Sequence, residues 1–176
     1  MKPPPINLTA PPPCRIAGLA WIPNEYGEVL TLSANRGEEA GHHRLPGDHA
    51  DERQSNLAAM VSHVRHGTGL DPVPTRLLGT DWAPHSPAEP AAMGQSFIYL
   101  CARVPTTASI ALPPTADGEK PELSGYLWQT PDTARHTMRP YQLRRFLGLW
   151  RAWHDDKTSV LHSGRPALSA AASEAP

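Results

Sequence analysis

The sequence predicts a mixed α/β domain, and three observations carry that prediction. Short apolar runs with β-branched and aromatic residues recur at positions 16–22, 28–32, 76–82, 96–104 and 123–128, bounded by Gly, Pro, Asn and Asp, and read as strands. Leu57, Met60, Val61 and Val64 follow i, i+3, i+4, i+7 spacing and make one apolar stripe of a helix over residues 54–66. A second stripe, Leu143, Phe146, Leu147, Trp150 and Trp153, marks a final helix over residues 140–154, with Arg144, Arg145 and Arg151 outside it. Strands interleaved with helices of this kind are the pattern of an α/β fold.

Taken in order, residues 1–14 hold two proline triplets and form an extended arm. Residues 15–156 make the domain, about 140 residues and so an ordinary size for one hydrophobic core. Residues 157–176, rich in Ala, Ser and Pro, read as a disordered tail. Inside the domain the first two strands form a hairpin, with Asn24-Glu25-Tyr26-Gly27 supplying the turn. Residues 33–44 are polar and loop-like. Leu45-Pro46-Gly47-Asp48 is a tight turn, since Pro fixes one dihedral and Gly permits the next. Gly67-Thr68-Gly69 ends the first helix, and residues 105–122 form a Pro-rich loop.

Composition narrows the function. A formal net charge of −1 lacks the basic excess of a general nucleic-acid binder. No apolar run approaches the roughly 20 residues of a membrane span. Met1-Lys2-Pro3-Pro4-Pro5 lacks the apolar stretch of a signal peptide. Cys14 and Cys101 have neither metal nor redox spacing. The expectation is a soluble, cytoplasmic protein without a membrane partner.

The most informative stretch runs from Leu45-Pro46-Gly47-Asp48 to Gly67-Thr68-Gly69-Leu70. It resembles the Nudix box, G-x5-E-x7-R-E-U-x-E-E-x-G-U, in which U is an apolar residue. Aligning Gly69-Leu70 with the end of the box puts its first glycine at Asp48, with no gap. Leu45-Pro46-Gly47 then matches the usual lead-in, and Val64 an apolar position. The segments Leu77-Leu78-Gly79-Thr80-Asp81-Trp82, Phe97-Ile98-Tyr99-Leu100 and Leu123-Ser124-Gly125-Tyr126 with Trp128 extend the resemblance over residues 15–153. It implies a Nudix-like α/β/α sandwich, a mixed β-sheet held between the box helix and a C-terminal helix.

In that family the box glutamates hold magnesium or manganese and help activate the water that cleaves a nucleoside diphosphate linked to another group. This chain has Gln54, Ser62, His63, His66 and Gly67 at the charged box positions. A neutral amide, a hydroxyl, two imidazoles and a glycine are poor partners for magnesium, a hard ion that takes oxygen ligands. The standard reaction is therefore expected to be lost. What the resemblance then implies is a binding module for a nucleotide-like or phosphorylated small molecule.

Two other readings stand beside it. One is a divergent hydrolase of a phosphoanhydride. In it His63 and His66, one turn apart and opposite the apolar stripe, are catalytic or bind a metal together with Asp51, His42, His43 or His49. Imidazoles suit a zinc-like ion better than magnesium. Loop acids such as Glu89, Glu119 and Glu122 are the other replacements open to it. The other reading is a protein-interaction scaffold built on the proline-rich arm. Trp82 and Tyr99 are candidates to stack on a ligand ring, and Arg44 to meet its phosphate. The arginines near the last helix, Arg135, Arg139, Arg144, Arg145 and Arg151, could reach a phosphate, but most read as the solvated side of that helix and its approach.

Overall fold

The computed structural model describes residues 9, 11, 13–35, 40–85, 92–113 and 121–167. Chain order is β1 (Cys14–Trp21), β2 (Val29–Ala34), β3 (His43–Arg44), β4 (Gly47–His49), α1 (Asn56–Thr68), β5 (Pro74–Ala83) and β6 (Met93–Cys101), followed by β7 (Leu123–Gln129), α2 (Pro131–Thr137), α3 (Pro140–His154), β8 (Ser159–His162) and β9 (Arg165–Pro166). Six strands form one sheet in the order β4-β1-β6-β5-β8-β9, and three form a second in the order β3-β2-β7. The larger sheet is mixed: β1 runs parallel to β6 and β5 parallel to β8, while the other pairs are antiparallel.

Strand periodicity sorts the larger sheet's side chains onto two faces. Leu19 and Trp21 of β1, Ile98 of β6 and Leu161 of β8 pack with Phe146, Leu149 and Ala152 of α3. Ala20 of β1 and Cys101 of β6 point the other way and pack with Met60 and Val64 of α1. The sheet is thus held between α1 and α3, the α/β/α sandwich expected.

Both helix starts carry readable signals. Ser55 caps α1, its Oγ accepting from Ala58 N at 3.1 Å, and Gly69 closes the helix with φ 70°. Pro140 stands at the first position of α3, where a missing N–H costs nothing.

Five details differ from expectation. The expected hairpin exists locally, through a Pro23–Val29 bridge, but its arms belong to different sheets. Residues 159–166, placed in a tail, form β8 and β9, and Leu161 is buried against α3. Cys14, assigned to the arm, already begins β1; residues 1–8, 10 and 12 of that arm lie outside the described residues. Helix α2 escapes a periodicity reading because it has only seven residues. The stripes are also rotated: Leu57 is exposed while Ala59 is buried, and Leu149 rather than Leu147 faces the core of α3.

The rotation of α1 has a steric cause. A Cβ at Gly18 would lie 1.8 Å from the carbonyl oxygen of Asn56, so the first turn of α1 rests directly on the β1 backbone. That backbone contact fixes the helix's roll more strongly than the Leu57 side chain does.

Candidate functional site: an arginine-lined cleft beside the first helix

The corner between β3 and β4 sets the site. His43 is buried and its Nδ1 lies 3.1 Å from Thr31 Oγ1, which ties the corner to β2. Burial lowers the His43 pKa, which favours the neutral ring there. Gly47 sits at φ 118°, and a Cβ on it would fall 2.2 Å from the Gly18 carbonyl oxygen. Only glycine permits that crossing of β4 over β1.

Asp48 follows and is fully engaged. Its Oδ1 accepts from the His49 backbone N–H at 2.8 Å and lies 2.7 Å from His49 Nδ1, and Arg44 Nη2 stands 3.7 Å from Oδ2. Partial burial pushes its pKa up, but the bonds from His49 and the charge of Arg44 outweigh it and bring the carboxyl down to about 2.

Two depressions meet at this corner and share Arg44, Leu45, Gly47 and Asp48. The smaller, about 230 Å³, lies between the end of α1 and the second sheet, and His63, His66, Gly67 and Glu122 line it. The larger, about 680 Å³, opens between the start of β1 and the start of α3. Arg15, Arg44, Arg139, Arg144 and Arg145 line it, and Asp48 is the one carboxylate among its lining residues. With Arg145 paired to the buried Asp81 and Arg44 beside Asp48, three arginines are left in excess, which makes this a positive concavity on a chain of formal net charge −1.

One of the five is structural. Arg145 is buried, and its Nε donates to Asp81 Oδ2 at 2.8 Å. Tyr141 Oη donates to the same carboxylate at 2.9 Å, and the Gly164 N–H donates to Oδ1 at 3.0 Å. Arg145 also bonds Tyr141 Oη and lies 4.6 Å over its ring. Burial pushes the Tyr141 hydroxyl up to about 12, so it stays a donor.

The residues singled out from sequence fare unequally. His63 and His66 do line one pocket, with Gly67 beside them. His63 Nε2 lies 3.3 Å from the His49 carbonyl oxygen, and His66 is exposed. Position 67 faces inward: a Cβ there would meet Leu123 and Leu32 at 3.4 and 3.6 Å. Gln54 and Ser62 are exposed and line neither depression. Asp51 is spent in the turn before α1, its Oδ1 accepting from Arg53 N at 2.8 Å. It is not brought to the two histidines: among the described residues no group of three or more His, Cys, Asp or Glu comes together to hold a metal ion. Glu122 lines the smaller pocket; Glu89 and Glu119 lie outside the described residues.

Arg44 lines both depressions. The two aromatics do not line either one. Trp82 lies on the opposite face of β5 from Asp81, its ring 4.6 Å from that of His162. Tyr99 faces α1, where its hydroxyl bonds Asn56 Oδ1. Tyr99 stands on the face of β6 opposite Ser96, which lines the cleft, and Trp82 on the face of β5 opposite Asp81.

Sequence reasoning missed Arg15, and it favoured the solvated side of the last helix for Arg139 and Arg144 over contact with a phosphate. The usable signal was Pro140 at the helix start, which puts Arg139 at the helix mouth.

No family model and no curated protein matches the chain. Solved structures do. A MutT protein from Methanosarcina mazei is similar over 83% of this chain and 97% of its own, with 24% identity and a TM-score of 0.64. The Nudix domain of NrtR from Shewanella oneidensis, solved with ADP-ribose, covers 81% of this chain and 86% of its own, with 13% identity and a TM-score of 0.57. An ADP-ribose pyrophosphatase from Streptococcus suis covers 84% and 98%, with 17% identity and a TM-score of 0.54.

The chain has a Nudix-like fold. On it, α1 and the turn before it stand where the resemblance puts the Nudix box. Magnesium is the ion that box implies, and the donors found here do not fit it. His63 and His66 offer imidazole nitrogen, Gly67 offers nothing, Asp48 is engaged with His49 and beside Arg44, and Glu122 does not come together with them: among the described residues no three His, Cys, Asp or Glu are grouped to hold an ion. No helix is long and apolar enough to cross a membrane among the described residues.

Proposed function

We propose that this Nudix-fold protein binds a nucleotide-like or otherwise phosphorylated small molecule in the joined depressions and does not run magnesium-dependent phosphoanhydride hydrolysis. The observation that carries the reading is the charge of the larger depression, where five arginines line the wall and only two of them, Arg145 and Arg44, stand beside a carboxylate, Asp81 and Asp48. A site that positions a magnesium–phosphate complex needs carboxylates for the metal. A site that answers phosphate charge directly needs guanidinium groups, whose planar fork suits phosphate oxygens. The similar NrtR domain was solved with ADP-ribose, which fits a ligand of this class.

The test is a mass-spectrometric turnover panel of nucleoside diphosphate derivatives, nucleoside triphosphates and dinucleotides. Each is offered with magnesium, manganese or zinc, beside His63→Ala/His66→Ala, and the same panel is run as a thermal-shift screen. Stabilisation by one or more phosphorylated compounds without magnesium turnover is the expected result. Turnover that disappears in the double variant would replace the reading with a hydrolase whose histidines stand in for the box glutamates. Absence of any stabilisation would remove the ligand reading altogether.

A further inference from the structure

The five cleft arginines are not equivalent, and their partners separate them. Arg145 is neutralised by Asp81, and Arg44 stands beside Asp48. The remaining three have no carboxylate partner among the described residues. Arg15 donates Nε to the Ala92 carbonyl at 2.9 Å, with Nη1 3.5 Å from His49 Nε2. Arg144 donates Nε to the Ser163 carbonyl at 3.3 Å. Arg139, at the N-cap of α3, accepts from Leu143 N through its backbone carbonyl at 2.9 Å, while its guanidinium has no hydrogen-bond or ion-pair partner among the described residues. All three line the same cleft, whose wall on that side is the first turn of the 15-residue α3. The positive end of the helix dipole adds to their field.

We propose that Arg15, Arg139 and Arg144 form an anion subsite at the α3 end of the cleft, one that takes the diphosphate end of a ligand free of metal. The proposal rests on the ligand-binding reading above and fixes which part of the cleft holds the charge. Three guanidinium groups without counter-charges among the described residues do the work that a divalent cation would do beside a carboxylate-rich box. Arg15 and Arg144 are already oriented by backbone carbonyls, so little side-chain freedom remains to be lost when the anion arrives. A consequence with a definite sign follows. A magnesium ion already on the diphosphate cancels part of the charge that the arginines read, and Asp48 is too well paired to hold that ion. Magnesium therefore weakens binding.

The experiment is isothermal titration of the full-length protein with inorganic pyrophosphate, first in EDTA and then with excess magnesium. It is repeated on Arg139→Ala/Arg144→Ala and on Arg151→Ala, an exposed arginine of the same helix outside the cleft. Thermal melts confirm that each variant is folded. Expected are binding in EDTA, a severalfold loss with magnesium, a loss of tenfold or more in the double variant, and wild-type affinity in Arg151→Ala. Tighter binding with magnesium would overturn the subsite, as would equal losses in the double variant and Arg151→Ala. If nucleotides stabilise the protein yet pyrophosphate binding ignores Arg139 and Arg144, the subsite fails and the ligand reading stands. If no phosphorylated compound binds in either condition, both fail.

Discussion

Arg145 on α3 and Asp81 on β5 form an ion pair at 2.8 Å with both side chains buried, and the pair closes the floor of the arginine-lined cleft. Its geometry is over-determined: Tyr141 and Gly164 donate to the same carboxylate, and Arg145 reaches Ser96 Oγ at 3.3 Å. Taking two charges out of water is costly, and removing one partner leaves the other uncompensated. Asp81→Ala is therefore expected to lower unfolding free energy by about 3–5 kcal/mol. Asp81→Leu/Arg145→Met, which removes both charges, should recover most of that loss. Urea denaturation of the three proteins measures it. A double variant as unstable as Asp81→Ala would show that the hydrogen bonds to Tyr141 and Gly164, rather than charge pairing, hold this corner.

Much of the fold was legible because its signals are local. Pro140 and the aromatic stripe place α3, and Ser55 and Gly69 bound α1 to within a few residues. What escaped depends on contacts between distant segments. Leu161 reads as part of an Ala/Ser/Pro tail until β8 is seen lying beside β5. Arg145 falls outside the stripe of its helix, yet it turns inward because Asp81, 64 positions earlier, waits there. The parity of β6 decided against Tyr99 in the same way. A periodicity argument says that residues alternate but not which face meets a cleft. The resemblance singles out His63 and His66 by fixing their register, and they line one pocket; Arg15 belongs to no motif.

Gly18 and Asn56 give a second test, one of packing alone. A Cβ at residue 18 would meet the Asn56 carbonyl at 1.8 Å and Met60 Cβ at 2.9 Å, and neither is the free end of a flexible chain. Gly18→Ala must push α1 off the sheet. The expected loss is about 3 kcal/mol, the upper part of the range for overpacked cores. Hydrogen exchange should then rise in the first two turns of α1 and stay unchanged in α3. Uniform loss of protection would mean that α1 is integral to global cooperativity.

Acid stability tests the β3–β4 corner. Asp48 has its folded pKa at about 2, below the ordinary value of 3.8, because His49 and Arg44 favour its charged form over the opposing effect of burial. A carboxyl lowered in this way stabilises the fold fully above its unfolded pKa and loses that contribution as pH falls through the folded one. Wild type should therefore melt higher than Asp48→Asn at neutral pH. The gap should close as pH falls from about 4 towards about 2, the span between the two pKa values. A gap that is constant across this span would assign the difference to shape and hydrogen bonding instead of charge.

Tyr99 separates the two faces of the sheet functionally. Its hydroxyl bonds Asn56 Oδ1 at the first residue of α1, on the face away from the arginines, and burial raises its pKa, so it remains a donor at neutral pH. Tyr99→Phe keeps the ring packed and deletes this one bond, leaving a half-buried amide oxygen short of a partner. The expected cost is about 1 kcal/mol of stability. Pyrophosphate affinity, read by the same titration as for the arginine variants, should not change, because Tyr99 lines neither depression. Loss of affinity in a variant that melts close to wild type would mean that the ligand crosses to the α1 face and stacks on this ring. The binding surface would then have to be redrawn around β6.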